Sequence, residues 1–143
     1  MVLRFKRIHP AAVLPSYAHP SDAGMDVRSV ESLTIAPGHH ALVRTGLVAL
    51  LPLGYEIQVR PRSGLALKAG VTVLNTPGTI DAGYRGEIGV ILANFGSSDF
   101  EIAVGERIAQ FVVAPVLQPT IEGSDVVDET DRGLGGFGST GSK

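Results

Sequence analysis

The sequence predicts an all-β fold of the barrel or jelly-roll kind, with one short helix. Three observations carry this: apolar and polar residues alternate in many short runs, Pro and Gly punctuate nearly every gap between them, and only Leu65 to Ala69 reads as helix. A period of two sends successive side chains to opposite faces of a strand, so each run has one face for a core and one for solvent. Leu3 and Phe5 alternate with Arg4 and Lys6, and Tyr55, Ile57 and Val59 alternate with Glu56, Gln58 and Arg60. Similar runs recur at Leu33 to Ile35, Ala41 to Leu51, Val71 to Leu74, Ile88 to Ala93, Phe100 to Val104 and Arg107 to Val113. Pro37-Gly38, Pro52 to Gly54, Gly96 to Asp99 and Gly105 mark the turns.

Composition narrows the function classes. With 143 residues, 44% of them hydrophobic, the chain makes one domain with a real core. The domain is expected over residues 1–118, with a linker and arm over 119–143. Twelve basic and 14 acidic residues, with no basic cluster, exclude the electrostatic footprint of a nucleic-acid-binding surface. The absence of cysteine removes disulfides, thiolate metal sites and thiol catalysis together. The N-terminus lacks a signal-peptide core, and the longest apolar run, Leu47 to Leu53, is far below the ~18 residues of a membrane span, so a cytoplasmic protein is expected. His9, His19, His39 and His40 read as surface residues; His19, Ser21 and Asp22 are too close in sequence for triad geometry.

The stretch Asn75 to Gly89 is expected to carry chemistry. It lies between two alternating runs and reads as a β-hairpin, with Asn75 to Gly78 and Ala82-Gly83 as turn formers holding Ile80 and Asp81 between them. Asp81, flanked by Ile80 and Ala82 with Tyr84 three residues on, is either a carboxylate that positions and deprotonates a water or an Asx-type turn residue.

Three further segments pair small residues with one functional group. Ser21 to Asp26 places Asp26 after a tight turn. Pro61-Arg62-Ser63-Gly64 ends a strand and opens the helix, so the Ser63 and Gly64 amides with Arg62 form an anion site. Gly105 to Gln110 sets Gln110 in line with Ile108 and Val112 on one strand face, where its amide needs a partner. A turn acid, a helix cap and a satisfied core amide are the plainer readings of the three. Beyond Pro119 the chain changes character: Glu122 to Asp131 carries five acids and no base, then Arg132 to Gly141 is mostly glycine. That composition is common in a disordered end. It also sets Arg132, Ser139 and Thr140 among free backbone amides, suited to polyphosphate, and Phe137 where it can stack on a base. The segment is not a P-loop, having neither its Lys nor a following helix.

Taken together and in this order, these five segments resemble the five motifs of the trimeric dUTPase family, over Ser21 to Gly141. The resemblance implies a jelly-roll subunit in a homotrimer with three active sites at subunit interfaces, hydrolysing dUTP to dUMP and pyrophosphate with Mg²⁺, which keeps uracil out of DNA and supplies dUMP for thymidylate synthesis. It implies that Asp81 activates the attacking water, that Arg62, Ser63, Gly64 and Gln110 hold the phosphates, and that Asp26 holds a water of the Mg²⁺ shell. Uracil selection falls to Asn75, to Gly78, Thr79, Ile80 and Asp81, and to Gly89. Tyr84 lies against the sugar, while a flexible arm brings Phe137 and Gly138 over the uracil and Arg132, Ser139 and Thr140 to the γ-phosphate. The related dCTP deaminases share the fold, but this sequence has Leu67 and Ile91 where they carry an Arg and a catalytic Glu. A non-catalytic trimer that binds dUTP as a signal is the alternative from another class.

Overall fold

The computed structural model describes residues 1–136 and 139. In chain order the elements are β1 (Arg4–Arg7), β2 (Ser16–Tyr17), β3 (Met25–Arg28), β4 (Leu33–Ile35), β5 (His40–Arg44), β6 (Leu47–Leu50), β7 (Tyr55–Arg60), α1 (Ser63–Ala69), β8 (Val71–Val73), β9 (Gly78–Asp81), β10 (Gly89–Asn94), β11 (Phe100–Ile102) and β12 (Arg107–Pro115). A five-stranded sheet runs β2-β3-β12-β7-β9 and a three-stranded one β5-β10-β8; β1 pairs with β6 and β11 with β4, all antiparallel. Val27, Ile57 and Phe111 of the large sheet share one buried cluster with Val43, Val90 and Leu92 of the three-stranded sheet. This is the jelly-roll arrangement, and the period-two pattern explains it: in β7 the buried residues are Ile57 and Val59, alternating with polar neighbours.

Most expected strands are present, with four instructive differences. The run Ala41 to Leu51 is two strands, broken at Thr45-Gly46. Gly46 has φ +66°, and a Cβ there would stand 2.7 Å from the His9 Cβ and 2.9 Å from the Ala12 Cβ, so neither backbone nor space admits a side chain. Asp26 follows the turn, as expected, but lies inside β3, so the turn-acid reading fails. The helix starts two residues earlier than the apolar pattern indicates, at Ser63, and ends at Gly70 in the left-handed conformation, whose N–H donates to the Ala66 carbonyl.

The fourth difference concerns the expected hairpin. Its flanks do pair, Val73 opposite Leu92 and Val71 opposite Asn94. The connection between them is no simple loop, however: Gly78–Asp81 crosses to the other sheet and pairs with β7 as β9, Gly78 opposite Val59 and Asp81 opposite Glu56. Gly78 is buried there.

Beyond β12, residues 116–136 form neither helix nor strand, and Leu117, Ile121, Val126, Val127 and Leu134 are each 75% or more exposed. Among the described residues no helix is long and apolar enough to cross a membrane. His19, His39 and His40 are exposed and His9 is half-buried, accepting the Ala11 N–H. Asp22 takes the backbone N–H of His19, not its ring, so no triad forms there.

Candidate active site

Two groups of functional side chains occupy opposite ends of β7. At its C-terminal end the chain turns through Pro61 into α1 with Arg62, extended at φ −89° and ψ 125°, as the N-cap. The Arg62 Nη1 donates to the Arg107 carbonyl at 3.0 Å, and its Nε stands 3.5 Å from Asp26 Oδ1. Arg107 Nη1 donates to Asp26 Oδ2 at 3.0 Å, and Gln110 Nε2 is 3.5 Å from Oδ1. Asp26 is only 8% exposed, and a carboxylate so far from water requires this compensation. One carboxylate facing two guanidinium groups leaves the cluster net positive, and both Arg side chains stay partly open to solvent. An anion is the ligand such a cluster attracts.

A slip in strand register builds this cluster. Between Arg107 and Ala109 the pairing of β12 with β3 shifts by one residue, the mark of a β-bulge. Ile108 therefore goes into the core with Ala109 and Phe111, and Gln110 shares the Asp26 side with Arg107. The expected line of Ile108, Gln110 and Val112 on one face is corrected by this bulge, which no periodicity argument reveals. A Cβ at Gly24 would lie 3.1 Å from the Gln110 amide, so the glycine two residues before Asp26 makes room for that side chain.

Ser63 and Gly64 are exposed at the first turn of α1. The Arg62 carbonyl accepts the Leu65 and Ala66 amides, so the Ser63 and Gly64 amides stand outside the helix ladder, and no side chain caps the helix. The segment therefore caps the helix through the Arg62 backbone alone.

At the other end of β7, a cavity of about 260 Å³ opens beside β9, walled by Leu42, Ile80, Ile88 and Ile91 with Thr79, Asp81, Tyr84, Glu87 and Gly89. Asp81 closes a turn with the Tyr84 N–H at 3.1 Å, and Arg85 Nη1 donates to the Ala82 and Tyr84 carbonyls. The Asp81 side chain lines this apolar-walled cavity yet remains exposed. The Tyr84 hydroxyl donates to the Glu87 carbonyl at 2.9 Å. A Cβ at Gly89 would meet the Leu42 side chain at 2.5 Å, and one at Gly78 would stand 3.2 Å from the Asn75 amide nitrogen, so both glycines admit close neighbours. An apolar-walled cavity of this volume suits a nucleobase-sized ligand.

The two groups do not meet within one chain. Asp81 pairs with Glu56, whereas Arg60, four residues on, pairs with Gln110, itself opposite Asp26. Three strand spacings across and four residues along put Asp81 roughly 20 Å from Asp26. Arg132 Nε donates to the Gly135 carbonyl within its own turn and reaches neither group, and Ser139 is exposed. Phe137, Gly138 and Thr140 lie outside the described residues.

The dUTPase family model matches residues 11–141. The chain belongs to the dUTPase family. Its relatives include the deoxyuridine 5'-triphosphate nucleotidohydrolases of Picosynechococcus sp., 56% identical over 99% of this chain and 100% of the relative, and of Clostridium tetani, 57% identical over 97% and 96%. Among solved structures, a mutant of the dUTPase of Staphylococcus bacteriophage 80alpha with dUpNHpp is 27% identical, covers 99% of both chains and has a TM-score of 0.91. Within this dUTPase-family chain, sequence reasoning passed over two residues that the structure brings forward. Arg107 binds Asp26, and its signal was a charged residue at the mouth of the same short motif as Gln110. Glu87 anchors the Tyr84 segment from outside the expected site residues. Arg107→Gln is expected to raise the KM for nucleotide by about tenfold, the worth of a charge-assisted hydrogen bond, with little change in kcat; steady-state kinetics on the assembled protein check it.

Proposed function

We propose that this chain hydrolyses dUTP to dUMP and pyrophosphate at sites shared between copies of itself in a homotrimer. The observation that carries the reading is Asp81 on the wall of a base-sized apolar cavity, with Tyr84 beside it. Relatives above 50% identity over nearly the whole chain carry the nucleotidohydrolase name, and the phage dUTPase structure contains a dUTP analogue.

In this reading the uracil enters the cavity with its apolar contacts supplied by Ile80 and Ile91 and one face left open to Phe137. Backbone groups from Gly78 to Asp81 and at Gly89, with the Asn75 amide, meet its Watson-Crick edge. Cytosine reverses the donor and acceptor pattern there, and each buried polar group left unpaired costs about 1–3 kcal/mol. Tyr84 packs on the sugar and leaves no space for a ribose 2′-hydroxyl. Asp81 accepts a proton from a water as the water oxygen bonds to the α-phosphorus; the bond from that phosphorus to the bridging oxygen breaks, and pyrophosphate leaves in line. Arg62, Gln110 and the Ser63 and Gly64 amides hold the phosphates, where positive charge meets the charge developing on the leaving group.

The donors at the phosphate end fit Mg²⁺ in an outer-shell arrangement. Asp26 is the one carboxylate in that cluster, and both of its oxygens face guanidinium groups. Its remaining lone pairs suit a metal-bound water, while substrate phosphates and water supply the inner shell that Mg²⁺ commonly keeps. Bound there, Mg²⁺ would neutralise charge on the phosphate oxygens and on departing pyrophosphate.

The separation within one chain supports the shared site. Adjacent phosphorus atoms of one triphosphate cannot span roughly 20 Å between Asp81 and Asp26, so one copy supplies the base and water end and its neighbour the phosphate end. Residues 119–143 act as linker and arm: Ile121, Val126 and Val127 lie bare in the single chain, which fits a segment that packs on another copy. Arg132, Phe137, Gly138, Ser139 and Thr140 then close over bound nucleotide and exclude bulk water.

Deamination is disfavoured because Ile91, on the cavity wall, and Leu67, on α1, can move no proton. Pyrophosphate release from dUTP, dCTP, dTTP and UTP, measured in parallel with Mg²⁺ and with EDTA, tests the reading. Release from dUTP alone, lost in EDTA, is expected; dUTP binding without release would make the protein a nucleotide sensor.

A further inference from the structure

We infer that Glu87, held by Arg44 and Gly46, is a positioning residue that sets the place of Tyr84 and thereby the discrimination between deoxyribose and ribose. The inference rests on the proposed packing of Tyr84 against the sugar. Its ground is a set of contacts tying the segment after Tyr84 to the corner between β5 and β6.

The Glu87 carboxylate is divided between two tasks. Oε2 accepts from Arg44 Nε and Nη2, both at 3.1 Å, a charge-assisted contact in which two donors converge on one oxygen. Oε1 accepts the Gly46 backbone N–H at 2.9 Å. Gly46 is the residue at φ +66° packed against His9, Ala12 and Val30, so the carboxylate is tied to a backbone position with no freedom to follow it. The neighbouring residue repeats the attachment: the Thr45 hydroxyl donates to the Ile88 carbonyl at 2.6 Å, and the Ile88 N–H to the Leu47 carbonyl at 2.8 Å.

The fixed backbone then holds the tyrosine. The Tyr84 hydroxyl donates to the Glu87 carbonyl at 2.9 Å, and the ring lies so closely over Gly86 that a side chain there would overlap it. Tyr84 is otherwise 45% exposed, with little packing of its own to hold the ring at one depth in the cavity. Ring position therefore follows the Glu87 carbonyl, and the carbonyl follows the carboxylate's grip on Arg44 and Gly46. An exposed ion pair contributes little to folding. This one acts on specificity, since a 2′-hydroxyl is excluded only while the ring stays close.

The test compares kcat/KM for dUTP and UTP in Glu87→Ala, Arg44→Met and the double variant, with Tyr84→Ala as reference and trimer assembly checked by light scattering. Loss of the anchor should lower the dUTP/UTP ratio by about 3- to 10-fold, the worth of one hydrogen-bonded link, mostly through the KM for UTP. The double variant should lose no more than Glu87→Ala alone, because both residues act through one contact. Arg44→Met, at a half-exposed side chain, keeps the test available if Glu87→Ala fails to assemble. An unchanged ratio in assembled Glu87→Ala and Arg44→Met, with Tyr84→Ala lowering it, would overturn the inference alone; an unchanged ratio in Tyr84→Ala would overturn the sugar reading beneath it.

Discussion

Asp81→Asn is expected to lower turnover of dUTP by about 10²- to 10⁴-fold, the usual contribution of a positioned general base, while leaving nucleotide affinity and assembly nearly unchanged. The substitution keeps size and hydrogen bonding but removes the proton acceptor. Asp81 ends β9 and its backbone carbonyl closes the turn to Tyr84, both main-chain roles that asparagine preserves. Its side chain has no protein partner among the described residues, so no folding contact is lost. Single-turnover kinetics beside equilibrium binding of dUTP separate the two effects. Turnover within a few-fold of the parent would return Asp81 to the plain turn-residue reading.

Truncation before Arg132 is expected to leave the folded domain intact and to cost about 10²-fold or more in kcat/KM. The stability half follows from burial: residues 122–134 are exposed throughout and add no strand or helix, so removing the last segment takes little from the core. The activity half follows from what the proposed arm would supply, a cation for the γ-phosphate and closure against bulk water, both felt most in the transition state. Thermal unfolding and kinetics of the truncated chain check both halves; a truncated chain that no longer assembles would make the arm structural.

The alternating runs were legible because a half-buried strand writes its period directly into the sequence, as Ile57 and Val59 do in β7. Asp26 was harder: it lies in β3 among Met25 and Val27, all three buried, so no alternation marks the strand and only its charge stands out. The bulge at Ile108 was invisible for a related reason, since one inserted residue shifts the face of every residue after it without altering composition. Gly78–Asp81 has turn formers on both sides, so local chemistry indicates a loop; the partner that makes it a strand, β7, lies some twenty residues earlier. The candidate site residues stand out in the sequence through their order along the chain. Their spatial division into two groups at opposite ends of β7 appears only in the sheet registers.

That division is the centre of the account, and mixing two inactive variants tests it most directly. Asp81→Asn and Arg62→Ala chains, each nearly inactive alone, are unfolded together in equal amounts and allowed to reassemble. If Asp81 and Arg62 of one site come from different copies, random assembly restores activity at about one quarter of the sites, since each half is intact with a probability of one half. Recovery near that fraction is the predicted result. Activity no higher than the sum of the two separate variants, in trimers shown to be mixed, would place both residues of a working site on one chain and contradict the account.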